Sequence, residues 1–279
     1  MKWKFAAIAF WMAITITRAQ DGLPRQWMPA HSRIGLALGI STVTYQDKNA
    51  SPLIYRSRPK HLRLFYCLES DHFLFAVDLD LKLGGTAPKH HPDRTLYFQE
   101  EDYEGKAEEK KFPAGGALLA GRLSVGAYYK ISPELDAPFK VAAGARLSEE
   151  LFYPQGWTSA GLFNALSLSP EVRAQYRMND RHVFAAAARL PVAALVARLP
   201  YDNTVSMPGK TQLGGFLGRT RWAGISRFAA PAFSLGYNVQ LNSSWGAGLN
   251  YDFGWHRIEQ LRTMKAVSNS ILANFYHQF

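Results

Sequence analysis

Asp78 and Asp80 stand two residues apart in a stretch whose alternate positions are apolar, and Asp252 and His256 stand four apart in a second such stretch near the end of the chain. A histidine held by an aspartate is a general base, so these two pairs are the residues with which acid–base chemistry would be done. Other groupings point elsewhere. His90, His91 and Asp93 have metal-binding side chains, but adjacent histidines point apart and Pro92 stiffens the turn, so a solvated loop is expected. Gly209-Lys210-Thr211 ends like a phosphate loop, yet Thr204 stands where that motif needs glycine. Cys67 is the single cysteine, which excludes an intrachain disulfide and a thiol-rich metal site. Tyr201, Phe216 and Trp222, with Arg219 and Arg221, are an aromatic and basic set that would either contact glycan or lipopolysaccharide or cover part of the fold. Nothing in these motifs calls for a cofactor or a metal.

For the four acid–base residues to meet, some surface must bring them together, and the pattern around them defines it. Successive side chains of a strand point to opposite faces. From Asp71 onward Phe73, Phe75, Val77, Leu79, Leu81 and Leu83 alternate with His72, Asp78, Asp80 and Lys82 among others. Trp245, Leu249, Tyr251, Phe253 and Trp255 alternate with Gly246, Gly248, Asn250, Asp252, Gly254 and His256. A helix would scatter those charges around its circumference. Similar alternation marks stretches beginning at Ile34, Leu62, Leu119, Phe139, Leu166, His182, Phe233 and Val267, which makes ten strands. The Ala-rich segment from His182 to Val196 has low strand propensity, but Pro191 would break a helix there.

The chain begins like an exported protein. Lys2 and Lys4 precede a mostly apolar run, and Thr17-Arg18-Ala19 supplies a small-x-small cleavage site, so residues 1–19 read as a signal peptide and 20–31 as a periplasmic lead-in. Removing Lys2, Lys4 and Arg18 lowers the formal charge from +10 to +7. These basic residues are spread along the chain, which argues against nucleic acid and for attraction to anionic lipid and lipopolysaccharide phosphates. No further run of about 18 apolar residues occurs, so a membrane-spanning mature chain must be a barrel.

The connections sort by length. Those at Glu69–Asp71, Ser132–Pro138, Asn179–Arg181 and Asn242–Ser244 are short and rich in turn formers. Those at Gln46–Lys60, Gly85–Phe112, Ser148–Ser159, Leu199–Ser226 and Arg257–Met264 are long. Short periplasmic turns and long extracellular loops are the asymmetry of outer-membrane barrels, so residues 32–279 are expected to form an all-β transmembrane antiparallel barrel of about ten strands. Its inward positions carry Arg33, Arg63, Glu69, Asp78, Asp80, Lys82, Arg122, Lys130, Lys140, Arg146, Glu171, Arg173, Arg177, Arg189 and Asp252. Ten strands leave room for little beyond side chains, and unpaired charges in that space are costly, so a largely polar, salt-bridged plug is predicted.

The last strand carries a resemblance. Val267, Ile271, Ala273, Phe275 and Phe279 share one face, with Ser268, Ser270, Asn274 and Gln278 on the other. This resembles the C-terminal signature of bacterial outer-membrane β-barrel proteins. The resemblance implies the outer membrane of a Gram-negative bacterium as location. It also implies that periplasmic chaperones and the barrel-assembly machinery handle the chain, with Phe275, Tyr276 and Phe279 presenting the final strand. His277 departs from it by placing a polar ring on the lipid face. The acidic pair Asp78 and Asp80 opposite Asp252 and His256 is similar to the omptin proteases, ten-strand barrels with acidic and His-Asp pairs across an outer cleft. There the Asp and His are two residues apart; here they are four apart, about 13 Å at roughly 3.3 Å per residue. Three roles follow: a structural or surface-binding barrel, which the charge pattern favours, an omptin-like enzyme, or a narrow channel for small solutes.

Overall fold

The structure, a computed structural model, describes residues 31–101, 107–131, 138–155, 162–198, 209, 211–260 and 262–279. The signal-peptide and lead-in assignments fall outside these residues, as does Tyr201. In chain order the elements are β1 (His31–Asp47), β2 (Tyr55–Ser57), β3 (Lys60–Glu69), β4 (Phe73–Pro88), β5 (Thr95–Glu101), β6 (Ala107–Pro113), β7 (Gly116–Lys130), β8 (Phe139–Gln155) and β9 (Phe163–Arg177). There follow β10 (His182–Arg189), β11 (Ala193–Arg198), α1 (Gln212–Leu217), β12 (Arg221–Gly224), β13 (Phe228–Ala229), β14 (Ala232–Gln240), β15 (Trp245–Ile258) and β16 (Met264–Gln278).

Ten of these strands close a cylinder. β1, β3, β4, β7, β8, β9, β10, β14, β15 and β16 pair antiparallel in that order, and β16 pairs back onto β1. The chain is therefore a transmembrane-type antiparallel β-barrel, as the alternation required. Following paired residues around the wall leads from His31 through Glu69, Leu74, Tyr128, Gly144, Glu171, Arg189, Ala232, Gly254 and Ser268 to Val43, twelve residues further along β1. With strands about 4.8 Å apart and about 3.3 Å per residue, this stagger tilts the strands by about 40° and sets the backbone at a radius of about 10 Å. Long side chains from opposite walls then meet near the axis.

The outer wall is apolar. Ile34, Leu36, Leu38 and Ile40 on β1, and Ile271 and Phe275 on β16, lie exposed on it, a surface suited to lipid. At the short-turn end Trp245 stacks on Phe275 (4.9 Å between centroids) and meets the edge of His277 (4.6 Å), which is how the polar ring is accommodated in the aromatic girdle. The turns have local causes. Asn179 Oδ1 accepts from the amides of Arg181 and His182, and Asn242 Oδ1 accepts from those of Ser244 and Trp245.

On the long-loop side the strands run further than their alternation suggests. β1 reaches Asp47, β4 reaches Pro88, β8 reaches Gln155, and the three-residue β2 lies within the first long connection. The physical reason is an inversion of pattern. In these outer rungs Tyr45, Tyr55, Phe152, Ile258, Met264 and Ala266 point inward and are buried, while Gln46, Arg56, Glu149, Arg257 and Lys265 point outward. Outside the bilayer the wall faces water, so the greasy face becomes the inner one. The second long connection holds the separate hairpin β5–β6, and the fourth holds α1 and β12.

The Ala-rich stretch is strand, broken at Leu190–Val192. β10 and β11 both pair with β9, in registers that differ by one residue, and Pro191 costs no ladder bond because Leu190 and Val192 donate to Pro170 and Leu168 on either side of it. On its other edge Arg189 faces Ala232 while Ala193 faces Gly224, so four residues of one strand are matched by eight of the other; of the surplus, Phe228 and Ala229 stay in the ladder of β15 opposite Ile258 and Arg257.

Candidate functional site

The chemistry-bearing side chains sit inside the cylinder, in three layers. At the turn end Glu69 accepts from Lys130 Nζ (2.7 Å) and lies 3.7 Å from Arg33, and Lys140 and Arg177 are half-buried nearby on β8 and β9. Tyr128 (1% exposed) packs with Leu74, Ala76, Ala142 and Cys67 to close this end, its ring lying over Gly126, where a Cβ would stand 2.2 Å from the hydroxyl. Tyr276 lies in the same way over Gly246, so it is an inward residue, whereas Phe275 and Phe279 face out.

The middle layer is charged. Asp80 is its hub: it accepts from His61 Nε2 (2.9 Å), Arg63 Nε (2.7 Å) and Arg122 Nη2 (2.6 Å). Arg63 reaches on to Asp252 (2.7 Å). Asp78 is held by Arg146 (2.6 Å), which also touches Glu171 (2.7 Å) and donates to Tyr128 Oη (3.0 Å) and Ser124 Oγ (2.8 Å). Glu171 pairs in addition with Arg173 (2.7 Å), whose guanidinium lies 4.3 Å over the Tyr128 ring. His256 meets Glu150 (3.0 Å), and Lys82 donates to Ser268 Oγ (2.7 Å). A chamber of about 260 Å³ separates this network from the small-residue wall of Ala185, Ala187, Ser234 and Gly236.

The outermost layer is apolar, which corrects the expectation of a lumen filled mostly by polar side chains. Tyr45, Tyr55, Leu118, Phe152, Phe163, Val196, Phe228, Ile258 and Met264, all at the loop ends of their strands, form one buried cluster. Tyr45 stacks on Tyr55 (5.5 Å) and Phe152 on Phe163 (5.3 Å). Arg198, 2% exposed, bolts the cap by donating to the Asp47 carboxylate and to the carbonyls of Gln260 and Arg262. Each such large apolar side chain contributes about 1.5–3 kcal/mol on burial. The cap lies between the charged layer and the outer loops.

The four acid–base candidates are thus placed as follows. Asp80 and Asp252 are brought together, by a shared arginine. Asp78 belongs to the neighbouring Arg146 cluster, and His256 is held by Glu150, away from Asp252. None of them lies at an open outer mouth, where the strand ends alone would put them. Two participants escape the sequence pattern, His61 and Glu150, and a third, Ser41, lies within it at an inward position of the first strand. His61 and Glu150 lie just beyond the segments of clean alternation, on the inward parity of Arg63 and Arg146, so extending each strand by a few residues finds them. Ser41 Oγ lies 3.2 Å from His61 Nδ1 and 2.7 Å from Ser270 Oγ. Because Asp80 accepts from Nε2, the tautomer leaves Nδ1 to accept from Ser41. Ser, His and Asp in line are the residue types of a hydrolase relay. Here Ser41 is 3% exposed with Ser270 against it, and Asp80 is committed to two guanidiniums, so the row braces the lumen instead of presenting a nucleophile.

In the fourth outer connection Phe216 is buried and Trp222 is 66% exposed beside the exposed Arg221, so the aromatic set is split between covering the barrel and facing outward.

No protein-family model matches the chain, and no curated protein matches it. Among solved structures it is similar to the outer membrane protease OmpT from Escherichia coli, with 7% identity, 90% of this chain and 97% of that one covered, and a TM-score of 0.53. The translocator domain of the autotransporter NalP from Neisseria meningitidis aligns over 99% of this chain and 98% of its own with 12% identity and a TM-score of 0.39. Neisserial surface protein A aligns over 89% and 97% with 11% identity and a TM-score of 0.34. The first likeness establishes a shared outer-membrane barrel fold and carries no residue-level correspondence.

Proposed function

We propose that this protein is an integral outer-membrane barrel with a closed lumen, serving a structural or surface-binding role and not transport or proteolysis. The observation that carries the proposal is the layering of the lumen. Asp78, Asp80, Glu171 and Asp252 of the middle layer are each paired with an arginine and Glu150 with His256, and an apolar cluster lies at either end. A protease of the omptin kind needs acidic and His-Asp groups free and facing an outer cleft; a channel needs a continuous wet path. Outside the lumen, Arg56, Lys60, Arg257 and Lys265 project from the outer wall at the loop side, where they suit the phosphates of lipopolysaccharide. Location in the outer membrane of a Gram-negative cell, with handling by chaperones and the barrel-assembly machinery, belongs to the same proposal and is supported by the fold and the C-terminal strand.

The test is conductance. The purified barrel in a planar bilayer should be nearly silent, and whole cells displaying it should leave a dibasic peptide uncut. Steady single-channel currents would replace this function with a channel. Cleavage that disappears in His256→Ala would replace it with an enzyme.

A further inference from the structure

The chamber between the charged network and the small-residue wall is lined by five carboxylates, Asp78, Asp80, Glu150, Glu171 and Asp252, against six cations. Four of the cations, Arg63, Arg122, Arg146 and Arg173, hold carboxylates. The other two do not. Lys82 has only the Ser268 hydroxyl, and Arg189, among the described residues, makes no hydrogen bond or ion pair. With its histidines neutral the chamber carries a surplus of one positive charge.

Arg189 is held in this position by the fold. It is the last residue of β10, directly across the ladder from Glu171 on one side and Ala232 on the other. Glu171 would be its natural partner, but that carboxylate already holds Arg173 by a hydrogen bond on Oε1 and has Arg146 2.7 Å from Oε2, and it makes no bond to Arg189. The wall around Arg189, from Ala185 to Gly236, offers no anion. Arg122 lies within electrostatic reach of both Lys82 and Arg189 and opposes each, while Asp80 attracts both from a distance without bonding to either. A cation with no carboxylate bonded to it, in a narrow, lipid-walled space that already holds a surplus positive charge, is costly unless a counter-ion joins it. A guanidinium fork and an ammonium across a small cavity suit a tetrahedral oxyanion, with the fork supplying paired donors and the ammonium a point charge.

We propose that the chamber binds one small inorganic oxyanion, phosphate or sulfate, between Arg189 and Lys82. The ion supplies the counter-charge that Arg189 and Lys82 lack and is part of the folded barrel. It goes beyond the closed-barrel function, since a silent barrel could hold the ion or lack it.

The test refolds the barrel from urea into a detergent free of phospholipid, with radiolabelled inorganic phosphate present, so that the ion needs no path through the wall and no lipid headgroup can supply it. After exhaustive dialysis the wild-type barrel should retain about one phosphate per chain, displaced by sulfate added during refolding and not by sodium chloride at equal ionic strength. The urea midpoint should rise with phosphate concentration at fixed ionic strength. Arg189→Gln and Lys82→Met should each reduce retention at least tenfold, and Arg189→Lys should keep part of it. If Arg189→Gln does not fold, the wild-type stoichiometry and its sulfate competition decide alone. Retention below a tenth of an ion per chain overturns the proposal, as does equal displacement by chloride, or retention unchanged in a folded Arg189→Gln barrel.

Discussion

Replacing Asp80 with asparagine removes the charge on which the middle of the barrel converges. The carboxylate accepts from His61 Nε2 (2.9 Å), Arg63 Nε (2.7 Å), Arg122 Nη2 (2.6 Å) and Arg122 Nε (3.2 Å), and its side chain is 4% exposed. Asparagine keeps the shape, loses the charge and leaves Arg122 without a carboxylate. Breaking a buried pair by removing one partner costs about 3–5 kcal/mol, because the stranded charge stays desolvated. Arg63 still holds Asp252, so the lower half of that range is expected for Asp80→Asn. Asp252→Asn alone should cost about 1 kcal/mol, since the Asp252 carboxylate, 19% exposed, is less buried than Asp80 and Arg63 keeps Asp80. The double substitution strips Arg63 of both partners. Its cost should exceed the sum of the singles by about 1 kcal/mol or more, beyond the roughly 0.3–0.5 kcal/mol within which independent sites add. The assay is reversible urea unfolding of the barrel in detergent or vesicles, followed by tryptophan fluorescence. Additive costs, or an Asp80→Asn barrel within about 1 kcal/mol of wild type, would refute the account of Asp80 as the hub of the lumen.

Three further outcomes are expected. Phe152→Ala in the apolar cap should cost about 3–5 kcal/mol and turn a nearly silent barrel into one with measurable planar-bilayer current, because Tyr45 and Phe163 lose the ring they pack on. Phe279→Ser, at an exposed terminal ring, should lower the yield of assembled barrel in cells while leaving refolding in detergent unchanged, as measured by the boiled and unboiled gel shift. Gly246→Val should destabilise by about 1–3 kcal/mol in urea, since a Cβ there falls 2.2 Å from the Tyr276 ring and the ring must leave its seat.

The membrane part of the fold was open to a reader of the sequence because a strand in lipid has one rule, apolar outward at every second residue, and lipid enforces it locally. Leu36, Leu38 and Ile40, or Phe73, Phe75 and Val77, obey it without reference to their partners. The same rule concealed the outer rungs, where Tyr45, Phe152 and Ile258 turn inward because water replaces lipid outside the wall; the cap they make could be seen only once ten strands were closed on one another. Inward parity likewise marked Asp78, Asp80, Asp252 and Arg63 as luminal from the sequence. Parity says which face a side chain takes and nothing about height or partner. The twelve-residue stagger decides that Arg63 bridges Asp80 to Asp252, that His256 goes to Glu150, and that Arg189 faces a glutamate already taken. Local chemistry set the faces; the closure and shear of the cylinder, which depend on all ten strands together, chose the pairs.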